Sequence, residues 1–281
     1  MTQSHINSRT LRRWIVVGYG RVGQTLPLVA ERVGASVHAT WNRTEASADA
    51  AHVPSPDPRW GSLPTSLEEQ LQEPCVLWLT VVDEAIEPVF ALLQDHIAPG
   101  SIVIHTSGSI ASTVLAGHPS ASLHPLQAIS APHAAVERFH RTFWTIEGDD
   151  TAVDTLTALL EPAGISPTRI DPEKKPLYHA SAVTAANLMV SLMDAAIAIA
   201  EAAEIDTDAA RHMLVELASS SLDNLSAHPP AQALTGPAAR GDLDVIDTHR
   251  RALRSLEDDS LLQIYDLLTQ RILAHLTTHT P

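Results

Sequence analysis

His124 opens the stretch His124-Pro125-Leu126-Gln127, and Lys175 and His179 lie one helical turn apart in EKKPLYHASAVTAAN. An imidazole exchanges its proton near neutrality, and a lysine ammonium does so where burial lowers its pKa. Either can protonate an oxygen on which charge develops, a contribution of roughly 10²–10⁴-fold. At about 100° per residue, Lys175 and His179 sit about 40° apart on a helix and share a face. Each also has a plain structural reading. His124 can close a turn ahead of Pro125, His179 can be satisfied inside a core, and Lys175 can be a solvated helix start. Gln127 places an amide one short step from His124.

Two further stretches could hold an anion. Thr106-Ser107-Gly108-Ser109 supplies hydroxyls and backbone amides, which either bind a carboxylate or cap a helix over 110–116. Thr235, Arg240 and Asp242 stand in LTGPAARGD. The planar fork of Arg240 suits a carboxylate, or it pairs with Asp242.

The elements that must position these groups begin near the N-terminus. The apolar run Trp14 to Val17 reads as a buried parallel strand. It leads into Gly18-Tyr19-Gly20-Arg21-Val22-Gly23, then a helical pattern through Leu26, Val29, Ala30 and Val33 that Gly34 ends. ASVHATW follows as a second strand. In such a unit the first glycine permits the tight turn, the second lets backbone approach a pyrophosphate, and the third allows helix and strand to pack closely. The second strand ends in Trp41-Asn42-Arg43-Thr44, with no acid to accept from a ribose 2′-hydroxyl. Asn42, Arg43 and Thr44 therefore predict NADP(H), whose extra phosphate a guanidinium and a hydroxyl favour. Thr80 and Val81, at the end of the strand CVLWLTVV, are expected on the cofactor's rim.

Strand and helix patterns then alternate: SLEEQLQ as a helix capped by Ser66 and Glu69, DEAIEPVFALLQDHI as a helix, and SIVIHT, ASLHPL and TFWTIEG as strands. That alternation predicts a doubly wound parallel sheet, with ligands outside the carboxyl ends of its strands. From Pro172 the period becomes helical. EKKPLYHASAVTAANLMVSLMDAAIAIAEAAEI reads as one helix of about thirty residues, roughly 45 Å long and apolar nearly all round. It is expected to be buried and shared with a partner subunit. Helices are expected near 207–220, 243–256 and 258–277, with a long loop over 226–242. The whole is an α/β protein: an N-terminal doubly wound Rossmann domain over 1–172, then a C-terminal all-helical domain over 173–281.

Composition narrows the function classes. The formal charge of −15 argues against non-specific binding to nucleic acid or to an anionic membrane. His179, Asn187, Asp194 and Glu201 interrupt the longest apolar segment, which argues against a membrane span. The single cysteine, Cys75, reads as a buried strand residue and fits a reducing cytoplasm. The scattered histidines predict no dedicated metal site.

HTSGS, SLHPLQ, YHASAVTAAN and ALTGPAARGD, in that order behind the glycine turn, resemble Rossmann-like proteins that carry the C-terminal domain DUF2520. This layout is similar to the β-hydroxyacid dehydrogenase, imine reductase and ketopantoate reductase superfamily. The long apolar helix predicts a homodimer through the helical domain. The resemblance implies an NADPH-dependent reductase of a small 2-keto acid, with ketopantoate the sharpest candidate. It also leaves open an imine reductase of the pyrroline-carboxylate type and a non-catalytic NADP(H)-binding protein. It places Ser107, Gly108 and Ser109 where the superfamily holds a substrate carboxylate, and brings Gln127, Thr235 and Arg240 toward the substrate. The superfamily often has a helical lysine four residues before an asparagine. Aligning Asn187 with that asparagine puts Val183 in the lysine's place, which leaves His179, Lys175 and His124 as candidate proton donors.

Overall fold

The computed structural model describes residues 11–49 and 51–278 of the 281-residue chain. Contacts divide the chain into two compact units, within 1–182 and within 183–281. The first is built on an eight-stranded sheet: β1 (Arg13–Val17), β2 (Ser36–Asn42), β3 (Pro58–Trp60), β4 (Val76–Leu79), β5 (Ile102–His105), β6 (Ser120–Pro125), β7 (Trp144–Gly148) and β8 (Thr168–Arg169). Their order is β3-β2-β1-β4-β5-β6-β7-β8, and the order reverses at β1. The longer helices of this unit are α1 (Leu26–Arg32), α2 (Asp83–Leu93), α3 (Asp150–Leu160) and α4 (Lys175–Ala185).

The strands are apolar throughout because both faces are covered. Trp14 and Val16 pack into one core cluster and Ile15 and Val17 into the other, as alternating side chains of one strand must. Cys75 is buried beside Val76, and burial pushes its thiol up to about 11, so it is a core residue and not a nucleophile.

Several expectations need correction. The sheet is not wholly parallel: β7 runs antiparallel to β6, with Leu123 opposite Ile146. The helix after Ser66 is only Glu68–Leu71; the Ser66 hydroxyl donates to the Ser62 carbonyl and forms no capping box. The first unit extends past Pro172, because Lys175 and Tyr178 bond to residues of β6 and β7.

The thirty-residue helix is two helices, α4 and α5 (Asn187–Ala202), broken at Ala186 with φ −113° and ψ −70°. The second unit continues with α6 (Thr207–Ala227), α7 (Leu243–Leu253) and α8 (Asp259–Thr278). Two short helices, Pro230–Ala233 and Gly236–Arg240, occupy the expected loop. Nor is α5 buried on most sides. Ala195, Ala198 and Ile199 join a small core with Leu253, Leu256 and Leu261, but Leu188, Val190 and Leu192 remain exposed. Residues 172–202 are long and apolar enough to cross a membrane by length and composition alone.

Candidate active site

The glycine turn follows β1. Gly18 has φ +95°, and a Cβ there would meet the backbone of Thr80 and Val81 at 2.7 Å, so no other residue fits. The Thr80 hydroxyl donates to the Gly18 carbonyl at 2.5 Å, and a Cβ at Gly23 would press against the same two groups. Gly20 differs: it is exposed, and a Cβ there would meet nothing within 4 Å. A turn braced from beneath and open above fits a dinucleotide pyrophosphate. Arg21 is exposed beside it and Val22 is half-buried.

Two residues expected to hold the cofactor face inward instead. The Tyr19 side chain is buried in the core, where burial pushes its phenol up to about 12. Asn42 accepts from the Tyr19 amide at 3.0 Å and donates to the Ser47 carbonyl at 3.2 Å, which spends its amide on tying the turn to β2. Gln24, which the motif did not single out, adds a brace: it donates to the Tyr19 carbonyl and accepts from the His52 and Val53 amides. Arg43 and Thr44 stay exposed. Thr44 shares a hydrogen bond with Ser47, and Arg43 has no hydrogen-bond or ion-pair partner among the described residues.

The second cluster forms at the carboxyl ends of β5 and β6. His124 is the last residue but one of β6, Gly108 lies in the loop after β5, and the first turns of α4 present Tyr178 and His179. His124 Nδ1 lies 2.8 Å from the Tyr178 hydroxyl. The His124 and His179 rings stand 6.3 Å apart edge to face. Both close on Gly108, where a Cβ would meet His179 Nδ1 at 2.7 Å and His124 Nε2 at 2.9 Å. His179 Nδ1 is buried without a hydrogen-bond partner among the described residues. Burial, reinforced by His179 and Lys175, pushes His124 down to about 4.

Beneath that cluster lies a sealed polar network. Lys175 is 1% exposed; its ammonium donates to Glu147 at 2.8 Å and to the Ser122 hydroxyl. Glu147 also accepts from the Ser112 amide and hydroxyl, while Ser122 donates to the Ser107 carbonyl at 3.0 Å. Desolvation lowers the Lys175 pKa, and Glu147 opposes that shift. A buried lysine with two partners is an anchor for α4 and not an exposed acid, which corrects the donor role expected of it. The hydroxyl of Ser107 is likewise occupied by the amides of Ser109 and Ile110, making a tight turn in place of the expected helix cap. Ser109 donates to Asp83 at 2.5 Å. Gln127 turns away: it accepts from Thr142 and donates to the Ala135 carbonyl, so it braces its own loop.

His105, at the end of β5, is fully buried, and its Nδ1 accepts from the Ser107 amide at 3.2 Å. Burial, with Lys175 nearby, pushes it down from 6.5 to about 4. The folded state then refuses a proton that the unfolded chain binds, so the stability His105 contributes is whole above pH 6.5 and is lost as pH falls toward 4. Between pH 6.5 and 5, above the range of ordinary carboxylates, urea unfolding should show a loss of roughly 2 kcal/mol from His105. A His105→Gln variant should show a flatter profile there, and an equally steep one would exclude this account.

Asn187, Thr235 and Arg240 belong to the second unit. Asn187 is the exposed first residue of α5. Thr235 precedes the helix Gly236–Arg240 and helps line an apolar groove of about 780 Å³ with Met189, Leu217 and Leu222. Arg240 pairs with Asp242 at 3.2 Å, both exposed, as the plainer of its two readings has it. No cluster of metal-binding side chains occurs among the described residues. Tyr178, Ser122, Ser112 and Glu147 escaped sequence reasoning. Glu147, a lone acid in the apolar strand WTIEG, was the available signal, because a buried carboxylate demands a partner.

Residues 1–129 match the Rossmann-like domain and residues 142–272 match the domain of unknown function DUF2520. The chain joins a Rossmann-like domain to a DUF2520 domain. No curated protein matches this Rossmann–DUF2520 chain. Among solved structures it is similar to a protein from Thermotoga maritima, with 22% identity, a TM-score of 0.73, and coverage of 94% of this chain and 98% of that one. A Bacteroides fragilis protein provisionally described as an NADP oxidoreductase shares 23% identity and a TM-score of 0.70, over 94% and 98% of the two chains. Plasmodium falciparum pyrroline carboxylate reductase with NADP bound shares the fold at 9% identity and a TM-score of 0.58, over 94% and 99%.

Proposed function

We propose that this Rossmann–DUF2520 protein is an NADPH-dependent reductase of a small 2-keto acid, with ketopantoate the sharpest candidate. The observation that carries the reading is the meeting of His124 and His179 at Gly108, on the carboxyl edge of the sheet that also bears the glycine turn. When bound, the reduced nicotinamide would supply a hydride, one proton with two electrons, to the substrate carbon. The chain's own residues do the rest. The open backbone at Gly20 receives the pyrophosphate, and Arg43 with Thr44 receives the 2′-phosphate. Ser109 is spent on Asp83 and Ser107, so the Gly108 amide and the Thr106 hydroxyl are the donors this loop offers to a carboxylate. His124 and His179 meet the oxygen that gains a proton.

Arg43→Asp should weaken NADPH binding about 10–100-fold and leave NADH binding little changed, measured by fluorescence titration. Equal losses for the two would remove the NADP assignment. Oxidation of NADPH by a panel of 2-keto acids tests the substrate class. The sealed ammonium of Lys175 favours a second reading, a cyclic imine of the pyrroline-carboxylate type, because a protonated imine needs no strong acid. Turnover of imines with keto acids untouched would select it. Tight NADPH binding with no oxidation by either panel would return a non-catalytic binding protein.

A homodimer through the helical unit belongs to the same proposal. Exposed Leu188, Val190, Leu192, Leu217 and Leu222 on α5 and α6 make an apolar surface of the kind that marks an association face. Light scattering should report the mass of two chains. The mass of one chain, or recovery only with lipid or detergent, would discard the dimer.

A further inference from the structure

The His124–Tyr178 pair explains how a neutral imidazole could act as an acid. His124 is half-buried, its Nδ1 is 2.8 Å from the Tyr178 hydroxyl, and its Nε2 edge faces the notch at Gly108. With its pKa held near 4, the ring carries a single proton at neutral pH. Surrendering that proton alone would leave an imidazolate, which is far too basic to form. Donation from Nε2 is open to it only if Nδ1 receives a proton in the same event. The one group placed at Nδ1 among the described residues is the phenol of Tyr178.

We propose that Tyr178 and His124 form a two-proton relay, in which Tyr178 resupplies Nδ1 as Nε2 protonates the substrate. The inference rests on the reductase reading and deepens it. The electrons come from the reduced cofactor, which is oxidised as the substrate carbon is reduced. The Nε2–H bond breaks as the bond from hydrogen to the substrate oxygen or nitrogen forms. The O–H bond of Tyr178 breaks as Nδ1–H forms, and the phenolate then recovers a proton from water. Two features suit Tyr178 to this. Burial keeps the phenol protonated before the event, and the buried Thr145 hydroxyl beside it donates to the phenolate afterwards. Lys175, sealed against Glu147 and Ser122, holds the start of α4 so that Tyr178 reaches His124.

The test uses the full chain and two readouts. Nitrogen NMR of the imidazoles should show His124 protonated on Nε2 and accepting at Nδ1, with that preference lost in Tyr178→Phe. A wild-type ring protonated on Nδ1 overturns the relay. In turnover, Tyr178→Phe should lower kcat about 100-fold with NADPH affinity unchanged, and the wild-type solvent isotope dependence should require two protons. Wild-type kcat in Tyr178→Phe overturns the relay while leaving the reductase intact. A wild-type protein that binds NADPH but reduces nothing overturns the reductase reading, and the relay with it. Should Tyr178→Phe fail to fold, Thr145→Val must still lower kcat, about tenfold, by removing the phenolate's donor.

Discussion

Replacing Lys175 by methionine should lower the free energy of unfolding by roughly 3–5 kcal/mol, the cost of leaving one member of a buried ion pair unmatched. Lys175 and Glu147 are each 1% exposed, so no water takes the missing partner's place. Methionine fills much of the volume, which isolates the electrostatic loss from a cavity. Glu147 keeps two donors from Ser112, which offset part of the penalty. Lys175→Met/Glu147→Gln should recover part of the stability, because it removes the second charge together with the first. Urea unfolding of the two variants decides this. A loss below about 1 kcal/mol in the single variant would mean that the pair is not sealed from water.

Gly108→Ala should abolish most turnover while costing little stability. The added Cβ would lie 2.7 Å from His179 Nδ1 and 2.9 Å from His124 Nε2, too close for either ring to stay in place. The rings can yield by rotating, which is why the fold survives. His124 cannot rotate without breaking its bond to Tyr178, and a displacement of about 1 Å at reacting groups commonly costs on the order of 100-fold in rate. NADPH affinity should be unchanged, since Gly20 and Arg43 lie on other loops. Wild-type kcat in Gly108→Ala, with a normal melting profile, would show that the two histidines do not meet the substrate at this notch.

What could be read directly from the sequence was local. The positive φ of Gly18 and the close approach of Gly23 to the Gly18 carbonyl are set within one short turn, so the glycine spacing announces them. The Thr80 and Val81 groups that also crowd there come from the end of a strand distant in sequence. The buried strands announce themselves for a similar reason, since a strand covered on both faces must be apolar at every position.

The roles of titratable and polar side chains depend on partners distant in sequence. Lys175 and His179 share a helix face by periodicity, yet Glu147, 28 residues away on a strand, turns the first into an anchor, and the second reaches the site beside His124. Tyr178 becomes a candidate for proton transfer only through a histidine 54 residues away. Tyr19, Asn42 and Gln127 look equally available in the sequence and prove to be braces once their partners are seen. The helical half shows the same division: its periodicity announced apolar helices, but whether Leu188 and Val190 meet protein or water depends on what covers them. Helix and turn patterns come from steric and hydrophobic rules that act along the chain. Burial and proton affinity come from whichever groups the fold brings alongside, and only the tertiary structure decides those.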